Sequence, residues 1–297
     1  MATIKGSQRP TPVTRPWNTK DLGKRLGVDA ASAATAGALT CPLITIIDRA
    51  IMEKASKGFP IQQTITSCLR SMVARPSAFF FSTPFLLIYT LYGSTYLTAN
   101  VIDTVTATMR NHSYNTIDTG FAKFIATTTV NMAICVYKDA RFAKMFGAQP
   151  PPSSSSQPLR APAPTPQIPK SSYTLFCLRD SITIFASFNI PAKIAPSIPD
   201  FMASTPGMKA SLAQFACPAL MQFASTPMHL LGLDLYNRQP EGGLRWTDRA
   251  SRIRRDYVAS CFARMGKIVP AYGIGGTVNV RMRSYLMNLI EGEKITI

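Results

Sequence analysis

From Pro76 to Ile102 the chain carries no charged side chain: PSAFFFSTPFLLIYTLYGSTYLTANVI runs unbroken between Arg75 and Asp103. As a helix rising about 1.5 Å per residue, such a stretch is long enough to cross a hydrocarbon core of about 30 Å. Ala30–Ile47 is also uncharged and just long enough to span, and Ala210–Leu233 holds His229 as its only acidic or basic group. Three shorter or interrupted runs interleave with these. They are Phe124–Tyr137, extending back to residue 119; Ser171–Ala192, apolar apart from Arg179-Asp180; and Ile268–Val280, continuing past Arg281 and Arg283 to Ile290. Together they predict an all-α membrane protein with six transmembrane helices.

Composition fits such a bundle when its helices face a polar interior. Hydrophobic residues make up 46% of the 297 and charged residues only 16%, neither typical of a soluble enzyme nor of helices that are greasy on every side. The net charge of +17 would suggest nucleic acid in a soluble protein. Here the bases gather instead in the connections after the first, third and fifth runs, the alternation expected of charge-biased membrane topology. The basic N-terminal arm falls on the opposite side. No RNA-binding motif, zinc-finger spacing or basic heptad array accompanies the charge, so nucleic acid is not an expected partner. The basic loops suit anionic lipid. No phosphate loop, dinucleotide fingerprint, nucleophile elbow or H-E-x-x-H motif is present, which points away from an enzyme, a metal and a cofactor. Six scattered cysteines without C-x-x-C pairing read as small buried apolar residues rather than a disulfide framework.

Residues 1–28, with Pro10, Pro12 and Pro16, read as a disordered basic arm, and the Pro/Ser-rich stretch 149–169 as a disordered insertion. Ile61–Val73 and Trp246–Met265 read as short helices lying at a membrane surface, the second with Ile253, Val258 and Phe262 near one face. The ends of the odd spans resemble one another. Ala36–Arg49 (AGALTCPLITIIDR) and Phe215–Arg238 each place small residues and a proline before an apolar turn, then an acid and a base. Ile125–Arg141 ends on Lys138-Asp139, with Asn131 where the proline aligns. Pro42, Asn131 and Pro227 are 89 and 96 residues apart, which divides the chain into units 29–118, 119–207 and 208–297.

This organisation resembles the mitochondrial carrier family, also called the solute carrier 25 family, over roughly residues 28–292. The resemblance implies three repeats of two spans around a central cavity, with a proline kink and an interlocking charge network closing one side. The signature's charge positions hold Ile44 and Ile47, Ala133 and Val136, and His229 and Gly232, so no complete signature is present. The segment Leu175–Phe188 resembles the family's fourth helix, which implies that Arg179 and Asp180 face the cavity and contact substrate. Charges inside a span are costly unless they face a cavity or pair internally, so an ion pair is the structural alternative.

Asn131 and His229 join Arg179 and Asp180 as candidate substrate contacts. Pro42 and Pro227 are candidate kinks, and Asp48, Arg49, Lys138, Asp139 and Asp234 are candidate gate charges or simple markers of helix exits. Arg281 and Arg283, two apart on a helix, cannot share a face. Two functions fit these residues. One is a transporter in the mitochondrial inner membrane carrying a small anionic or zwitterionic metabolite by alternating access. The other is a non-transporting relative serving as a structural or adaptor protein, with protein partners, in the inner or outer mitochondrial membrane. A polar cavity reaching Arg179 favours the first, and a core plugged by Phe81, Phe185 and Tyr272 the second.

Overall fold

The computed structural model describes residues 17–113, 120–147, 168–188, 190–239 and 243–291. Most of the expected basic arm and of the Pro/Ser insertion lies outside them. The described chain is helical without strands: α1 Leu22–Lys57, α2 Ile61–Ala74, α3 Pro76–Phe80, α4 Thr83–Arg110, α5 Gly120–Phe146, α6 Lys170–Phe188 and α7 Pro191–Ile194. After a single 3-10 turn follow α8 Pro206–Leu220, α9 Gln222–Asn237, α10 Trp246–Gly266, a π-helical segment Val269–Gly276, and α11 Thr277–Glu291.

Three of these helices, α1, α4 and α5, are long and apolar enough to cross a membrane. Two match uninterrupted runs in the sequence, and α5 extends the shorter run 124–137. The uncharged stretch 210–233, by contrast, is not one rod. It divides at Met221 into α8 and α9, with Pro218 in the last turn of the first half. Proline supplies no N–H to the ladder, and the Gln222 side chain donates through Nε2 to the Pro218 carbonyl at 2.9 Å, steadying the break. Pro42 and Pro227 lie inside helices that run on past them.

α1 forms the axis, packing against α2, α4, α5, α9, α10, the π-helical segment and α11. Its buried face is built of small residues, Ser32, Ala33, Ala36, Gly37, Thr40 and Cys41, which let neighbours come close. A Cβ on Gly37 would sit 3.2 Å from a Tyr89 ring carbon of α4. The remaining rods follow in the order α4, α5, α6 and then α8–α9. An apolar cluster of Ile44, Met52, Phe79, Phe85, Phe142, Phe146, Phe176 and Leu233 fills the end near the α1 C-terminus.

Elsewhere the usual inside and outside are exchanged. Leu39, Leu43, Leu86, Leu97, Ile125, Leu178, Leu220 and Leu289 face outward, whereas Asp29, Asn100, Lys138, Asp139, Arg179 and Arg283 are buried. α10 shows this inversion most plainly. Arg249, Asp256, Ser260 and Arg264 face inward along one stripe, while Val258 and Phe262 point out. A helix with its polar stripe against protein and its apolar stripe outward suits a membrane surface. All six cysteines are free thiols, as their spacing implies.

Candidate functional site

The charges that interrupt the apolar runs meet in one buried network. Lys138 Nζ of α5 lies 2.8 Å from Asp48 Oδ2 of α1 and 2.6 Å from Asp139 Oδ1. Lys267, in the turn after α10, reaches the other Asp48 oxygen at 3.0 Å. Arg179 of α6 lies 2.6 Å from Asp139 Oδ2, an ion pair whose angles are not those of a hydrogen bond. Arg179 also donates from Nε and Nη2 to Asp180 Oδ1, at 2.9 and 2.5 Å. Its Nη1 stands 2.8 Å from His229 Nδ1 on α9. A guanidinium has no acceptor, so Nδ1 is the nitrogen that accepts. Removing such charges from water costs several kcal/mol per ion, roughly, unless partners surround them. Here almost every one is surrounded.

Arg264 of α10 joins from the side, donating through Nε to Gln222 Oε1 at 2.9 Å. That oxygen also accepts from Ser225 Oγ at 3.1 Å, so the carboxamide at the α8–α9 break is fixed in place. Arg264 and Lys267 lie outside the long helices. Burial pushes the Arg264 pKa down to about 10, the Arg179 guanidinium adding to the effect, which leaves it charged at neutral pH. Burial lowers that of Lys267 by more than Asp48 restores.

On this network opens a cavity of about 110 Å³, lined by Asn131, Cys135, Lys138, Arg179, Asp180, Gln222, Arg264 and Lys267, with Leu91, Tyr92, Ile268 and Ala271. Asn131 donates to Thr95 Oγ1 of α4 at 3.1 Å. Two polar ends remain open. Asp180 Oδ2 is buried without a hydrogen-bond partner, and among the described residues Arg264 makes one side-chain hydrogen bond, through Nε, and no close ion pair. Cys135, Asp139 and Asp180 bring three ligand atoms within 4.8 Å of one another. Lys138 and Arg179 already neutralise those carboxylates, so the donor set does not suit a metal cation.

Of the sequence candidates, Arg179, Asp180, Asn131, His229, Asp48, Lys138 and Asp139 come together, His229 just behind the cavity wall. Arg49 and Asp234 do not. Arg49, one residue and therefore about 100° around the helix from Asp48, pairs outward with Glu53 at 2.9 Å and lies over the Phe146 ring. Asp234 instead binds Arg238 and Arg249, tying α9 to α10. Phe81 and Phe185 turn outward and do not plug the cavity; the Tyr272 side chain lies outside the described residues. Arg264, Lys267 and Gln222 are the members that the sequence did not single out.

A second polar layer lies at the other end of α1. Arg283 of α11 reaches Asp29 Oδ1 at 2.6 Å and Thr104 Oγ1 at 2.9 Å. Arg281 is exposed, as its two-residue offset requires. Lys123 of α5 holds Asp103 at 2.6 Å, and the Asn100 and Asn279 carboxamides bond each other reciprocally at 2.9 Å. Asp29 and Asp48 are nineteen residues apart, roughly 28 Å along the helix.

No curated protein matches the chain. The resemblance to the mitochondrial carrier family is overturned, because the family model that matches is a different one. The structure gives the physical side of that correction. Ile44, Val136 and Gly232 occupy positions where the carrier signature requires charge, and the network is made by residues about a turn away and by α10. The mitochondrial placement loses the resemblance it rested on. The matching model is described as "Probable citrulline exporter" and covers residues 32–287. The chain therefore belongs to the probable citrulline exporter family.

Proposed function

We propose that this protein exports citrulline, a small zwitterionic metabolite, across a membrane. The observation that carries the reading is the polar cavity among α4, α5, α6, the α8–α9 break and the π-helical segment, in a chain of this family. Four bases, Lys138, Arg179, Arg264 and Lys267, line it with two carboxylates, Asp48 and Asp180, and Asp139 stands behind them in the same network. The excess positive charge favours a ligand bearing a carboxylate.

Six membrane crossings accommodate the chain: α1, α4, α5, α6, α8–α9 and the π-helical segment with α11. The inward-polar helix α10 and its counterpart α2 lie at the surface, where their basic neighbours meet anionic lipid headgroups. The two polar layers then stand on opposite sides of the cavity, and alternating access follows if one opens while the other stays paired. Broken helices beside a buried site suit this task, because backbone freed by the break remains inside protein. The outward turn of Phe81 and Phe185 favours transport over the non-transporting reading.

The test is efflux of labelled citrulline from liposomes carrying the purified protein. Saturable efflux above that of protein-free liposomes is expected. Efflux equal to the protein-free leak at every concentration would remove the reading.

A further inference from the structure

The structure assigns the substrate's two charged ends: we infer that Asp180 Oδ2 receives the ammonium, and the Arg264 guanidinium the carboxylate, of a zwitterionic α-amino acid. The inference rests on the export reading and specifies how that cavity would hold its cargo.

Elimination within the network leads there. Asp48 is divided between Lys138 and Lys267, and Asp139 between Lys138 and Arg179. Arg179, the charge most conspicuous in the sequence, spends its nitrogens on Asp139, Asp180, His229 and Cys135. It is a positioning residue. By taking Asp180 Oδ1 twice it fixes that carboxylate and leaves Oδ2 without a partner.

Asp180 is about nine-tenths buried, so water does not freely satisfy the open oxygen. A buried unpaired carboxylate oxygen is costly and is retained where something else fills it. Arg264 is buried still more deeply, at 4% exposure, and among the described residues its Nη1 and Nη2 have no hydrogen-bond partner. Its Nε is clamped by Gln222, whose own amide is held at the Pro218 carbonyl. The guanidinium is thus oriented by the helix break. Both residues line the same cavity.

A plain anion would meet the bare Asp180 oxygen, and a plain cation would meet Arg264. A zwitterion satisfies both and leaves the net charge of the site unchanged. Charge-assisted hydrogen bonds of this kind are the strong ones.

Full-length protein in liposomes, with citrulline, its des-amino analogue 5-ureidopentanoate and its carboxamide as probes, decides the matter. Wild-type protein is expected to be stabilised against heat by citrulline and by neither analogue, a comparison that needs no substitution. Asp180→Asn should raise the citrulline half-saturation about tenfold or more and shrink the preference over 5-ureidopentanoate. Arg264→Gln should shrink the preference over the carboxamide, with Arg264→Lys intermediate. Equal stabilisation of wild type by citrulline and either analogue would overturn the assignment, as would unchanged half-saturation in both folded variants. If citrulline fails but glutamine binds with the same two dependences, the subsite stands and the citrulline reading falls.

Discussion

At the scale of the residue, the same pair of neighbours shows how differently two charges can be used. Asp48 is buried and ion-paired, whereas Arg49 is 41% exposed in its side chain and reaches the buried Glu53 from the rim. Replacing Lys138 by Met strands Asp48 and Asp139 with one cation fewer, so a loss of about 3–5 kcal/mol is expected. Arg49→Ala should cost less, about 1–3 kcal/mol, because the buried Glu53 it leaves behind keeps Thr64 as a partner. Denaturation of the two variants in detergent, compared with wild type, checks both values. Arg179, Asp180, Lys138 and Asp139 were legible in the sequence because each interrupts or bounds an apolar run. Arg264 and Lys267 were not, since they end a stretch crowded with arginines where only helical phase tells inward from outward. The phase was available: Arg249, Asp256, Ser260 and Arg264 follow a seven- and four-residue spacing.

At the scale of the element, the long helices α1 and α4 follow from uncharged length, and α2 and α10 from their amphipathic pattern. What the pattern hid was discontinuity. Hydropathy averages over Met221 and over residues 269–276, so both breaks read as uninterrupted apolar segments. Pro218 and the glycines of VPAYGIGG were the signals there. The Ala271 carbonyl of the π-helical segment accepts from Tyr96 Oη at 2.7 Å. The segment also brings Gly275 so close to α1 and α4 that a Cβ would lie 2.6 Å from Thr40 Oγ1 and nearer still to Tyr96. Gly275→Ala should therefore destabilise the protein by about 1–3 kcal/mol, the usual cost of overpacking. Gly276→Ala, where a Cβ meets nothing within 4 Å, is the matched control and should melt close to wild type. Equal melting temperatures for the two variants would contradict the tight fit described here.

At the scale of the whole molecule, periodicity suggested a three-part chain, but the family it evoked was the wrong one. General constraints of packing around a polar interior produce small-residue runs, prolines and terminal charges in more than one lineage. A signature is informative through its charges, and those were missing. The two polar layers yield a prediction that does not depend on the substrate. Cys135 lines the cavity between them. Asp48→Asn weakens the layer near the α1 C-terminus, and Arg283→Gln weakens the one near its N-terminus. Labelling of Cys135 by a charged, membrane-impermeant thiol reagent should rise from opposite sides of oriented vesicles in the two variants, with Cys135→Ser as background. A rise from the same side in both would rule out the two layers as opposing barriers.

The long separation of partners in those layers has a consequence for how the molecule is made. Asp29 and Asp48 emerge early in synthesis, yet Arg283 and Lys267, which complete their neutralisation, lie 254 and 219 residues further on. Lys138 reaches Asp48 partway through synthesis, but Asp29 waits for Arg283, and Asp48 for Lys267, until near the end of elongation, in a medium that disfavours bare charge. Only the last stretch of polypeptide discharges that debt. A chain cut short before residue 267 therefore keeps its first helix electrically unfinished, and an incomplete copy differs from a complete one at its very beginning.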